Sequence, residues 1–144
     1  MDVGDKSIGV AVSDVMLLTA QPRPTITRSN LEADLKRLRE IVEQDEVHEI
    51  VVGQPLHMDG RPSRQSEKVA QFARRLHKIT HVPLVFWDER LTSFAAEQHL
   101  EDMGLNWRKR RKHVDKIAAM IILQSYLDNR TRAPGSDAGD KAGA

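Results

Sequence analysis

The chain has 144 residues, 40% hydrophobic and 30% charged, with no cysteine and a net charge of +1. This length supports a single sizeable core, and the missing cysteines exclude disulfides and thiolate metal sites. Overall charge does not point to nucleic acid, so any such affinity must lie in local clusters; no apolar run or leader is present, so a cytoplasmic protein without membrane contact is expected.

The first fourteen residues read as a β-hairpin. Asp2 and Val3 lead into the polar turn Gly4-Asp5-Lys6-Ser7. Ile8, Val10 and Val12 then alternate with Gly9, Ala11 and Ser13, the period-2 signature of a strand. Gly9 leaves room for a close approach to its backbone. A carboxylate on a central strand is costly unless paired or holding a cation, so Asp2 is either a satisfied structural acid or a metal ligand. The hairpin alone favours the structural role. Only Met1 precedes Asp2, whereas a strand usually runs to about five or six residues, so a truncated or misassigned start is expected.

Val15 to Leu18 turn the chain, and Thr19 to Thr27 form a third strand that Pro22 and Pro24 confine to a sheet edge. Ser29-Asn30-Leu31-Glu32 is a capping-box pattern opening a helix whose apolar face is Leu31, Leu35, Leu38 and Val42. Glu49 to Gly53 is nearly all apolar, as in a parallel strand buried on both faces. The loop Gln54 to Gly60 follows at its carboxyl end, where open α/β sheets place their binding crevice. A helix from Ser63 to Ile79 turns Val69, Phe72, Ala73 and Leu76 inward, and the strand Val82 to Trp87 ends in Asp88-Glu89-Arg90. Thr92 or Ser93 caps a helix that Gly104 stops after Met103.

Arg108, Lys109, Arg110, Arg111 and Lys112 form an unbroken basic run. The last helix starts at His113 or Val114 and reaches Asn129, with Asp115 in its first turn, where the helix dipole favours an anion. Ile117 to Leu123 is apolar on all sides, which marks a buried helix. From Thr131 the Gly/Ala/Ser/Asp/Pro composition reads as a disordered tail, giving one domain over 1–130 and a tail over 131–144. The order β-β-β-α-β-α-β-α-α describes an α/β protein with a mixed sheet and helices on both faces.

Three acidic points lie on separate elements: Asp2, the pair Asp88-Glu89, and Asp115. If they converge, an all-oxygen site without cysteine suits Mg2+ or Mn2+. Two such ions could clamp the attacking and leaving oxygens of a phosphodiester, with the basic run holding the polyanion.

At these residues the chain resembles the bacterial YqgF/RuvX family of Holliday-junction-resolvase-like and pre-16S rRNA nucleases. The matching stretches are Asp2-Val3-Gly4-Asp5-Lys6 with Ile8 to Asp14, Val51 to Leu56 with Met58-Asp59-Gly60, Asp88 to Ser93 with Ala96-Glu97, and Val114 to Ala119 with Ile122-Leu123-Gln124. They run in order over nearly the whole chain except the tail. The resemblance implies an RNase H-like fold with a five-stranded mixed sheet whose first three strands are antiparallel. It implies that Asp2, an acid of Asp88-Glu89 and Asp115 form the metal and catalytic site, and Glu89 is preferred over Asp88. Two departures stand out: the short segment before Asp2, and Gln54 where an apolar residue is expected.

Nucleic-acid contacts are expected from Lys6, Arg90 and the run Arg108 to Lys112, although Arg90 serves equally well as a carboxylate partner. Asp5 and Asp14 read as turn residues, Asp59-Gly60 as a turn, and His57 and His113 as solvated. The expected activity is metal-dependent hydrolysis of structured nucleic acid, with pre-16S rRNA 5′-end maturation ahead of four-way DNA junction resolution. A non-catalytic RNA-binding assembly factor is the third reading. The helices show no spare apolar stripe for a subunit interface, so a monomer is favoured over a dimer.

Overall fold

The computed structural model describes residues 1–92, 102 and 114–132, the side chains of 114–116 and 131–132 excepted. In chain order it contains β1 (Asp2–Val3), β2 (Ser7–Ser13), β3 (Ala20–Thr27), α1 (Leu31–Gln44), β4 (Ile50–Gln54), α2 (Arg64–Thr80), β5 (Leu84–Asp88), a 3-10 turn (Glu89–Leu91) and α3 (Val114–Arg132). The expected helix from Thr92 or Ser93 to Met103 and the basic run Arg108 to Lys112 lie outside the described residues, except that Asp102 is helical.

The strands form two sheets rather than the expected five-stranded one. β1, β2 and β3 make an antiparallel sheet, and β4 and β5 make a parallel pair. The reason is the shortness of β1. Only Met1 reaches β4: its amine donates to the Val51 carbonyl (2.5 Å) and its carbonyl accepts from the Gly53 amide (3.0 Å). These two bonds seat Met1 opposite Val52 in parallel register and hold the sheets edge to edge without a continuous ladder. β3 takes the outer edge, as its prolines require, with Pro22 opposite Ala11.

Alternation along the strands separates two helical layers. Met1, Val3, Ile8, Val10, Ile50 and Val52 enter one core with Leu35 and Leu38 of α1 and Val69, Phe72, Ala73 and Leu76 of α2. On the other face, Val51 packs with Ile122, Tyr126 and Leu127 of α3, while Ala20 packs with Ile117, Met120 and Ile121. β4 is thus buried on both faces, which its unbroken apolar sequence demands. α3 packs along β2 and β3 and touches β1 and β4, so its all-round apolar stretch is covered. It extends to Arg132, beyond the expected stop at Asn129; residues 133–144 of the expected tail lie outside the described residues.

The helix starts are chemically distinct. Asn30 caps α1 by accepting from the Ala33 amide, while the Ser29 amide donates to Asp34, so no box forms around Ser29. Asp34 is buried and receives Arg28 at 3.1 Å. Ser63 and Ser66 form a reciprocal capping box on α2. The Ser63 hydroxyl also donates to the Pro55 carbonyl, closing the β4–α2 loop on itself.

Candidate active site

Asp2 lies between Met1 and Val3, both of which point into the α1/α2 core. Its side chain therefore faces the α3 layer. Its partner across the antiparallel ladder is Gly9, and the Met1 bonding pattern places Gly53 at its other flank. Asp2 thus stands between two residues that raise no side chain beside it. The sequence signal for Gly9 was its place inside a strand; Gly53 was not singled out.

Glu89 completes the arrangement from the end of β5. A methyl group added at Gly53 would lie 3.4 Å from the Glu89 carboxyl carbon and 2.5 Å from Ile122 Cδ1. The Glu89 side chain therefore folds back over the bare backbone of β4, toward Asp2. Burial pushes the Glu89 carboxyl up to about 7, and the neighbouring Asp2 charge pushes the same way. The Met1 ammonium is the counter-charge beside them, and its own burial lowers it to about 6. Two crowded, partly desolvated carboxylates make a site with a surplus of negative charge.

Asp88, the other candidate acid at this strand end, is engaged by Arg90. Its carboxylate caps the 3-10 turn through the Arg90 amide (2.9 Å) and holds the Arg90 guanidinium through Nε and the terminal nitrogen (2.6 Å). Those side-chain hydrogen bonds from Arg90 hold the Asp88 carboxyl below its ordinary range. Arg90 in turn donates to the Met58 carbonyl at 3.0 Å and lies against Gly60, whose φ of +91° suits glycine. Asp88 and Arg90 form a clamp on the β4–α2 loop, so Arg90 does pair with a carboxylate. Glu89, the first residue of the 3-10 turn, is the acid that lies over Gly53 beside the Asp2 charge.

The remaining candidates separate. Asp115 is the second residue of α3, in its first turn. Further along α3, Ala119, Ile122 and Tyr126 are buried against the sheets. Lys6 is exposed in the β1–β2 turn. Asp14 is a turn residue, accepting from the amides of Leu18 and Thr19, which hold its carboxyl below the usual range. His57 is exposed, and Asp59 accepts from the Arg61 amide and guanidinium inside the tight loop turn. Among the described residues no group of three acids and histidines closes a metal site. Sequence reasoning missed Arg28, and it met Gln124 only within a matching stretch, without a role. Gln124 is buried on α3, where it accepts from the Ala20 amide and donates to the Leu18 carbonyl, fixing β3 against α3.

The family model described as "RuvX: Holliday junction resolvase" matches residues 1–129. A relative from Caldanaerobacter subterraneus subsp. tengcongensis is 48% identical over 131 residues, 90% of this chain and 94% of its own length. One from Clostridioides difficile is 46% identical over 128 residues, 89% and 91% of the two chains. Both carry the curated name "Putative pre-16S rRNA nuclease". Among solved structures, T. thermophilus RuvC in complex with a Holliday junction substrate aligns with a TM-score of 0.60 at 15% identity, covering 90% of this chain and 92% of its own. At that identity the likeness concerns the fold, and it agrees with an α/β chain of the RuvC type despite the divided sheet. With the family's pattern spanning both sheets, the Asp2–Glu89 pair and α3, the chain belongs to the RuvX Holliday junction resolvase family.

Proposed function

We propose that this chain is a divalent-metal-dependent nuclease acting on structured nucleic acid, with pre-16S rRNA 5′-end maturation as its role. The observation that carries the reading is the convergence of Asp2 and Glu89 over the glycine-lined floor formed by Gly9 and Gly53. Asp115, in the first turn of α3, is the third acid of the proposed set. The donors fit the group: all are hard oxygens, the chain offers no thiolate, and surplus negative charge beside a half-buried Glu89 favours a cation. A divalent ion bound there supplies charge neutralisation at phosphate and activation of water. Asp2 and Glu89 would orient the cation, the side-chain-free flanks at Gly9 and Gly53 let Glu89 reach Asp2, and the loop held by Arg90 borders the cut. Lys6 and the run Arg108 to Lys112 are proposed phosphate contacts.

The names carried by the relatives favour rRNA, while the family description favours a four-way junction. The two are separated by incubating the protein with a pre-16S rRNA 5′-end fragment and a four-way DNA junction, with Mg2+, with Mn2+ and with chelator. Cleavage of the RNA alone supports maturation, and symmetric cleavage of the junction alone transfers the reading to resolution. Asp2→Asn, Glu89→Gln and Asp115→Asn should each lower cleavage by more than about 100-fold while leaving the fold intact, because each removes a direct ligand rather than an outer support. Full activity in Asp115→Asn would remove Asp115 from the site.

A further inference from the structure

Behind the candidate site, on the opposite face of β1, the β1–β2 turn and helices α1 and α2 enclose an open cavity of about 310 Å³. Val3 lines it while its chain neighbour Asp2 faces the other way, so one short strand separates the cavity from the Asp2–Glu89 pair. We infer that this cavity is a groove for a single-stranded stretch of the nucleic-acid substrate flanking the cut, rounding the Gly4–Ser7 turn from the Asp2–Glu89 side. The inference rests on the nuclease reading above and adds where the rest of the substrate lies.

Three observations favour that occupant. First, the wall formed by α2 presents Gln65, Lys68, Gln71 and Arg75, a polar stripe with two cations leading away from the turn. Lys68 meets only the exposed Asp5, at 3.6 Å, and Arg75 has no ion pair among the described residues. A polyanion can displace such a weak surface pair with little loss. Second, Arg28 is fixed at the floor. Its guanidinium donates to Asp34 and to the Gly4 carbonyl (2.9 Å) and lies 5.0 Å from the centre of the Phe72 ring. A guanidinium plane held in this way is a platform on which a base stacks. Third, the floor is apolar, with Val3, Leu31, Val69 and Phe72 below a polar rim. An apolar floor under a basic rim suits unpaired bases with phosphates along the edge better than the uniform backbone of a duplex.

The test uses the full chain carrying Lys68→Gln and Arg75→Gln, both exposed on α2 and outside the proposed catalytic set. Binding is read by fluorescence anisotropy with chelator present, on an RNA hairpin with a blunt end, the same hairpin with a single-stranded extension, and that extension made of DNA. The wild type should bind the extended hairpin more tightly than the blunt one. The double variant should lose about tenfold on the extended hairpin and little on the blunt one. Its slope of log affinity against log salt should flatten by about 1.4, two charges at roughly 0.7 each for a single strand. The DNA arm shows whether the groove requires a 2′-hydroxyl, and equal loss on both extensions supports a backbone-and-stacking groove. An unchanged preference for the extended hairpin in the variant, or equal losses on blunt and extended forms, overturns the groove. Metal-dependent cleavage of the blunt hairpin by the wild type, measured alongside, distinguishes that result from failure of the nuclease reading, which would show no cleavage whether or not the RNA binds.

Discussion

Glu89 is the residue on which the chemistry and the pH behaviour of this protein meet. Its carboxyl is raised from 4.5 to about 7, so the folded metal-free protein holds a proton that the unfolded chain has already lost. The associated stability is present below pH 4.5 and is lost as pH rises through about 7. The Met1 amine, lowered from 8.0 to about 6, works in the opposite sense: its contribution is present above 8 and lost as pH falls through 6. The two partly cancel in the wild type; Glu89→Gln removes the first and also takes away a charge that raises the Met1 amine. Thermal melts of metal-free protein should therefore show the variant gaining stability relative to wild type between pH 5 and pH 8. A constant difference across that range would mean that Glu89 titrates normally. Cation binding competes with the same proton, so cleavage by the wild type should rise with pH up to about 7. Gly53 limits the site sterically: Gly53→Ala presses on the buried Ile122 and on Glu89, and should cost about 1–3 kcal/mol in a denaturant titration together with most of the activity.

Among the elements, the β4–α2 loop is shaped by a charged pair at the end of β5. Asp88 and Arg90 hold the loop through the Met58 carbonyl, while Ser63 and Asp59 close its far side. Arg90→Lys keeps the charge but cannot bond Asp88 and the Met58 carbonyl at once with a single ammonium geometry. It should raise KM for the preferred substrate several-fold with a smaller change in kcat. An equal fall in kcat would place Arg90 at the reacting phosphate instead. A second buried network supports α1: Asp34 is 2% exposed and receives both Arg28 and the Ser29 amide. Asp34→Ala leaves Arg28 without its counter-charge and should cost about 3 kcal/mol, read as a lower urea midpoint.

For the whole molecule, the division into two sheets follows from the two-residue β1, which passes hydrogen bonds to β4 only through Met1. The core is nonetheless continuous along both sheets on the α1/α2 side, so the halves should unfold together in a single transition. Val15, Met16, Leu17 and Leu18 are all exposed at the β2–β3 turn, Val15 at 98%. A survey of helical stripes could not have found this patch, because it lies in a turn. A monomer remains the proposed state, since four residues are far fewer than the roughly 20–30 a side of a standard interface. Sedimentation at micromolar concentration should give one species near 16.3 kDa, and a stable two-fold dimer would overturn this and favour the junction as substrate.

The amino-acid sequence by itself determined the order of the described elements, the edge position of the proline-bearing β3, the two-sided burial of β4 and the inward face of α2. Each of these follows from local pattern: alternation, apolar runs, caps and missing amide donors. It also marked Asp2 and the Asp88-Glu89 pair, because an acid at a strand end is costly unless it has a task. Which acid faces Asp2 depends on the turn after β5, where Arg90 captures Asp88 and leaves Glu89 to fold over Gly53. The parting of the sheet depends on how far Met1 reaches along β4. The seating of Arg28 between Asp34, Gly4 and Phe72 joins residues from four separate segments. Spacing along a chain carries no record of such meetings, because they are decided by which faces must be buried together.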